Sequence, residues 1–219
     1  MRPFIPYFIA CGLVTFVILQ SPRTPSPTDG DPKNIYDSAL LMLKDLAAND
    51  SRLGFANAEE ITNAWIDING GLSLVYLSED TLLASHSQLV NLIKPMRRVI
   101  YPVYTKVGGI TKLCASITFD STDGLRPVMF DDSTLILPAI RHRKAMFNRS
   151  VLKYSMIQMP FLFTNAVIAH DSAGGQVVST PELRAALGEE YEHSETDTTN
   201  GVIHIPDEHF IDAVKDAAN

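Results

Sequence analysis

Arg98-Val99-Ile100-Tyr101-Pro102-Val103-Tyr104-Thr105-Lys106, then Val107-Gly108-Gly109, then Ile110-Thr111-Lys112-Leu113-Cys114-Ala115-Ser116-Ile117-Thr118-Phe119 is the stretch that decides the fold. Both arms are rich in β-branched and aromatic residues, which suit a pleated, half-buried surface. The glycine pair between them supplies a tight reversal, so the stretch predicts a β-hairpin. On the return arm Leu113, Ala115, Ile117 and Phe119 alternate with Lys112, Cys114, Ser116 and Thr118, because successive strand residues point to opposite faces. The first set is the expected inner face and the second the expected wet face. Pro102 has no N–H to give to a ladder, which predicts a strand at an edge there.

Outward from the hairpin, the periodicity changes from two to helical. Downstream, Asp120-Ser121-Thr122-Asp123-Gly124 is a turn and Arg126–Phe130 a third strand. A helical stretch follows from Asp132 or Ser133 to about Phe147, with Pro138 in its first turns. Strands are expected at Tyr154–Leu162, Ala166–His170 and Gln176–Ser179, a short helix after Thr180-Pro181, and a closing helix over Asp207–Ala217. Upstream, Leu40, Leu41, Leu43 and Leu46 recur at helical spacing within Ile35–Ala48, with Met42 beside them. Asn57 and Glu60 stand in capping-box spacing. Leu72, Leu74 and Tyr76 alternate with Ser73, Val75 and Leu77 as a strand, and a helix start follows at Ser78, with Leu82, Leu83 and Leu89 expected on its buried side. Strands joined by tight turns pair antiparallel. The expected architecture is therefore α+β: antiparallel sheet meanders with helices packed on one face.

The chain has 219 residues, enough for one domain with a sizeable core. Its hydrophobic fraction of 46% and charged fraction of 20% are those of a globular protein, which excludes disorder of the whole chain. A formal net charge of −7 argues against a nucleic-acid partner, which calls for a basic surface. The acids concentrate at the end: between Pro181 and Asn219 only Arg184 and Lys215 oppose a run that includes Glu189, Glu190, Glu192, Glu195 and Asp197. Such a segment keeps a surface wet or meets a basic partner.

The N-terminus reads as a targeting segment. Phe8–Leu19 is free of charge, follows Arg2, and leads into a polar exit with Pro22, Pro25, Pro27 and Pro32. A basic start, a short apolar run and a polar exit are the parts of a secretory signal. Extended back to Ile5, the run is still short for a bilayer core of ~30 Å, which takes roughly 17–25 residues. Leu19-Gln20-Ser21 is a poor cleavage site, so a cleaved signal and a retained anchor both fit. If it is retained, residues 5–19 contact the membrane. The expected organisation is a signal or anchor at 1–21, a Pro-rich spacer at 22–33, an α+β domain at 34–187 and an acidic segment with a terminal helix at 188–219. The expected location is the cell envelope: periplasmic, secreted or membrane-anchored.

Three stretches, Arg52–Glu60, Arg98–Val103 and Tyr154–Pro160, resemble in layout those of uncharacterised bacterial secreted and envelope proteins. The resemblance implies export and an α+β sheet domain, and it transfers no catalytic residue.

Four clusters could carry chemistry. Cys114 stands beside Lys112, and a cation lowers a thiol's pKa; a cysteine nucleophile also needs a histidine base, and His86, His142 and His170 are all distant in sequence. His193, His204 and His209 lie among Glu190, Glu192, Asp207 and Glu208, which are sound zinc ligands by type. The step from His204 to His209 does not place both on one side of a helix, as a zinc-protease helix requires. Arg141-His142-Arg143-Lys144 would give a helix a cationic face, able to meet lipid headgroups or the acidic end of the chain. Asp120–Gly124 lacks the length and the closing glutamate of an EF-hand loop and reads as a turn. No cofactor, metal or catalytic residue is assigned from these patterns. The expected function is a non-enzymatic domain that binds another envelope protein or a ligand through its sheet face or sheet edge. The alternative is a hydrolase using Cys114 or the C-terminal histidines.

Overall fold

The computed structural model describes residues 32–83, 88–145, 153–170, 175–178, 181–187 and 204–218. The signal or anchor at 1–21, most of the spacer, His86, His193 and most of the acidic segment lie outside the described residues. No described helix is long and apolar enough to cross a membrane.

The chain opens with α1 (Pro32–Asn49), α2 (Ala58–Thr62), the two-residue strand β1 (Trp65–Ile66) and β2 (Leu72–Tyr76). Two short helices, α3 (Glu79–Leu83) and α4 (Leu89–Leu92), lead to the long hairpin of β3 (Lys94–Val107) and β4 (Ile110–Asp120). β5 (Arg126–Asp132) and α5 (Leu137–Ala145) follow, then β6 (Lys153–Met159), β7 (Thr164–His170), β8 (Gly175–Val178), α6 (Pro181–Leu187), β9 (His204–Pro206) and α7 (Asp207–Ala218). The result is a mixed α/β protein whose sheet is mostly antiparallel.

The sheet order is β5-β4-β3-β2-β6-β7-β8-β9, with β1 pairing β3 beside β2. Two antiparallel meanders, β2–β5 and β6–β9, thus meet back to back. Their first strands, β2 and β6, form the parallel seam, with Leu74 opposite Met156 and Val75 opposite Ile157. The expected hairpin is present, with Tyr101 opposite Ile117 and Val99 opposite Phe119. Pro102, however, is not at an edge. It sits where β2 ends at the Leu72–Ile100 pair and β1 begins at the Ile66–Val103 pair, and its carbonyl accepts the Asp67 N–H. A missing donor is tolerated in that gap. The link from β1 to β2 crosses so close that a Cβ on Gly71 would stand 2.7 Å from the Tyr101 ring, so a side chain there would have to displace that ring.

Helices cover both faces of the sheet, not one. Leu72, Leu74, Ile100, Met156 and Val167 pack with Ile136 and with Ala139 of α5. The adjacent residues Val75, Ile157 and Ile168 face the other way and pack with Leu82, Leu89, Leu183, Phe210 and Val214 from α3, α4, α6 and α7. Further along that second face, α1 lays Ala39 and Leu43 over Val103, Ala115, Ile117 and Phe119. The wet face expected for β4 is exposed at Lys112 but dry from Cys114 onward, where Ser116 is 1% and Thr118 3% exposed. A bulge at Cys114 also breaks the expected alternation, since Leu113 pairs with Tyr104 and Ala115 with Val103, which leaves Cys114 as the extra residue. Leu113 therefore leaves the Ala115–Phe119 face and packs with the Leu74–Met156 cluster.

The terminal helix is core. Phe210 and Val214 are fully buried on the face opposite α5, so α7 does not dock on the Arg141–Lys144 helix. β9, which periodicity did not signal, adds the last rung of the sheet through Ile205 opposite Val177.

Candidate functional site

Cys114 is held by the loop that follows α1. Asn57 caps α2 through the Glu60 N–H, as its spacing predicts, while the Glu60 carboxylate turns back to accept the Ala56 N–H at 2.7 Å. The same Oε2 accepts the Lys112 ammonium at 2.9 Å and the Cys114 thiol at 3.9 Å. The Ala56 N–H and then Lys112 hold the Glu60 carboxyl below its ordinary value. A Cβ on Gly54 would lie 2.6 Å from the Cys114 carbonyl oxygen, so the loop lies directly on the bulge. Burial pushes the thiol up to about 11, against the opposing pull of Lys112. A thiol that stays protonated at neutral pH, is fully covered, and has a carboxylate as partner lacks the thiolate that nucleophilic attack requires. The cluster pins the Arg52–Glu60 loop to β4.

The basic run on α5 divides. His142 points inward, 0% exposed, with Nδ1 2.8 Å from the Tyr154 hydroxyl. The Arg143 guanidinium lies 4.9 Å from the centroid of the same ring, a cation–π contact. Only Arg141 and Lys144 stand exposed. The run does not form one cationic face: two of its four residues fasten α5 to β6.

The Asp120–Gly124 segment is a turn with its acid satisfied. Asp120 accepts the Thr122 N–H at 2.8 Å and Arg98 Nε at 3.0 Å. Bonds from Thr122 and then Arg98 hold its carboxyl far below the usual range. The Ser121 N–H and hydroxyl both donate to the Arg97 carbonyl. Among the C-terminal histidines, His204 is in β9 and His209 is exposed on α7. Among the described residues no group of three His, Cys, Asp or Glu side chains could hold a metal ion.

The surface left open is the β5 edge. Among the described residues β5 pairs with β4 alone and ends the sheet. Arg126, Val128 and Asp132 are exposed along it. Pro127 removes one donor near its start. Burial, then Asp132, raises the carboxyl of Asp131.

A second open feature lies at the end of the sheet where β2 and β6 both finish. Tyr154–Leu162 does not continue as one strand: Pro160 starts a single 3₁₀ turn, and Phe163 follows with φ 51° and 98% of its surface exposed. Sequence reading missed this residue. The available signal was Met159-Pro160, a strand interrupted by a residue with no N–H.

The fold and these sites define a mixed α/β protein whose sheet, among the described residues, is covered on both faces and ends at one side on the seven-residue strand β5. Comparison with family models, with curated proteins and with solved structures returns no match.

Proposed function

We propose that this chain is an exported, non-enzymatic envelope domain, tethered at a membrane through Phe8–Leu19, that binds an extended segment of another envelope protein along β5. The reading rests on one contrast: helices seal both faces of the sheet, while among the described residues β5 has no strand beyond it. A face under helices offers no sheet surface to a ligand. An edge strand offers a row of main-chain groups that an added strand can pair, with alternate side chains setting specificity. Pro127 confines the pairing stretch to Val128–Asp132. Asp131 and Asp132 at its end favour a partner strand that carries lysine or arginine opposite them.

A photoreactive residue in place of Val128, in the full chain in cells, should give an adduct with an extended segment of a distinct envelope polypeptide. Asp132→Lys should weaken that adduct, and a probe in place of Leu41, exposed on α1, should not form it. Labelling equal at the two positions would sink the edge reading. Separately, residues 1–30 fused to a reporter should export it; a reporter that remains cytoplasmic removes the localisation.

A further inference from the structure

We propose that the end of the sheet bearing Leu83, Val90 and Phe163 seats in the headgroup layer of a lipid bilayer; this rests on the tethered reading above and adds which end of the domain faces the membrane.

Two connections converge at that end. Because β2 and β6 run parallel, with Tyr76 opposite Gln158, the chain leaves both strands on the same side. From β2 it enters α3 and α4, which return to Lys94 opposite Tyr76. From β6 it enters the turn at Pro160–Leu162 and then Phe163. Leu83, Val90 and Phe163 are 50%, 57% and 98% exposed there, while Leu82, Leu89 and Leu92 of the same two helices are buried. The apolar side chains are therefore on both sides of these short helices, and burial in the domain accounts for only one side.

Phe163 carries two costs with no return inside the fold. A left-handed backbone is unfavourable for a residue with a Cβ and is ordinarily filled by glycine or asparagine. An exposed ring also forgoes the transfer of its apolar surface out of water. The turn beneath is anchored: the Phe163 N–H donates to the Pro160 carbonyl at 3.1 Å, and Phe161 and Leu162 pack on the core. An aromatic ring fixed outward on a tight turn is suited to the interface between headgroups and acyl chains.

The chain itself supplies the reason to choose a bilayer as the occupant. Tyr36, near the start of α1, packs on Phe119 at 5.0 Å, one residue from the end of β4 at this same side. Lys44, two turns on, reaches the Thr62 carbonyl next to β1, which pairs at the far half of β3. The domain is thus entered at the end that displays Phe163. Residues 20–31, between the apolar run and α1, can span at most roughly 40 Å. A tether of that length sets only an upper bound on how far this end can stand from the surface. Charge there is mixed: Lys94, Arg97, Arg98 and Arg126 stand with Glu79, Asp80, Asp120 and Asp123. Seating is therefore driven by apolar insertion rather than by attraction to anionic lipid.

The test uses the full chain reconstituted in phosphatidylcholine vesicles, with Trp65→Phe making Phe163→Trp the single tryptophan. Lipids brominated near the top of the acyl chains should quench Trp emission at 163 by about half or more, with a blue shift. Ile110→Trp in the same background marks the opposite end of the 14-residue strand β3, about 40 Å away, and should remain unquenched. Added salt should not release the quenching. A chain that floats with vesicles but leaves Trp at 163 unquenched overturns the seating and spares the tether; a chain that does not float overturns the tether. Quenching that requires phosphatidylglycerol and disappears in salt, or a blue shift that grows with protein concentration without lipid, overturns the proposal in favour of charge attraction or a second copy of the chain.

Discussion

The two meanders differ in how they stop. The first, β2–β5, is built on strands of 14 and 11 residues and ends on the seven-residue β5, beyond which no described strand pairs. The second, β6–β9, shortens from seven residues to four and then three, and its last strand runs straight into α7. Among the described residues this last strand has three residues and presents few unpaired groups, so the second edge offers less to pair. Among the described residues the first edge is guarded by Pro127 and by charge. The lesson is that the sheet's outer strands are not equivalent: one terminates the fold and the other leaves it open.

The most disruptive test of this picture is Thr118→Asp in β4. A hairpin with one wet face would accept it. A β4 sealed on both sides would not, because Thr118 is 3% exposed and lies opposite Met129 and beside Ile100 in β3. An unpaired buried carboxylate costs several kcal/mol, a large part of a typical stability of ~5–15 kcal/mol. The expected result in urea denaturation is a loss comparable with that of Ile117→Asp; a mild effect would reopen that face to solvent and make the sheet face a rival binding surface.

Phe210→Ala should come next, at about 3–5 kcal/mol, because a fully buried ring at the centre of the second meander's core leaves a cavity. A small loss would mean that α7 and β9 are an appendage, and that the second meander ends at β8 with an edge as open as β5.

The smallest effect concerns the turn that closes the first meander. Asp120 is held well below its ordinary value by Thr122 and Arg98, so the folded state favours the carboxylate. Its contribution is present above the unfolded value of about 4 and is lost as pH falls through the folded one. Asp120→Asn should therefore lower Tm modestly at neutral pH, with the gap between variant and parent narrowing below about pH 4. A gap that is constant with pH would mean that the carboxylate is incidental and that the turn is set by Ser121 and Gly124.

The sequence by itself determined the local elements. The Gly108-Gly109 reversal, the Asn57 cap on Glu60 and the helical spacing of Leu40, Leu43 and Leu46 are short-range signals, and a chain segment answers them without knowing the rest of the fold. It also held a clue to the sealed faces, since Val75 and Leu77 are as apolar as Leu72 and Leu74, and strands buried on both sides lose their polar alternation. Only the tertiary structure decided which strands distant in sequence meet. The parallel β2–β6 seam joins residues about 80 positions apart with no turn to announce it, and such pairing depends on the whole set of packed helices. The same reason hid the site. Whether Cys114 is a nucleophile or a covered bulge, whether Arg141–Lys144 is one cationic face or a divided one, and whether Phe163 is core or fully exposed all depend on partners distant in sequence. Burial and electrostatics are properties of the assembled neighbourhood, not of the residue types that enter it.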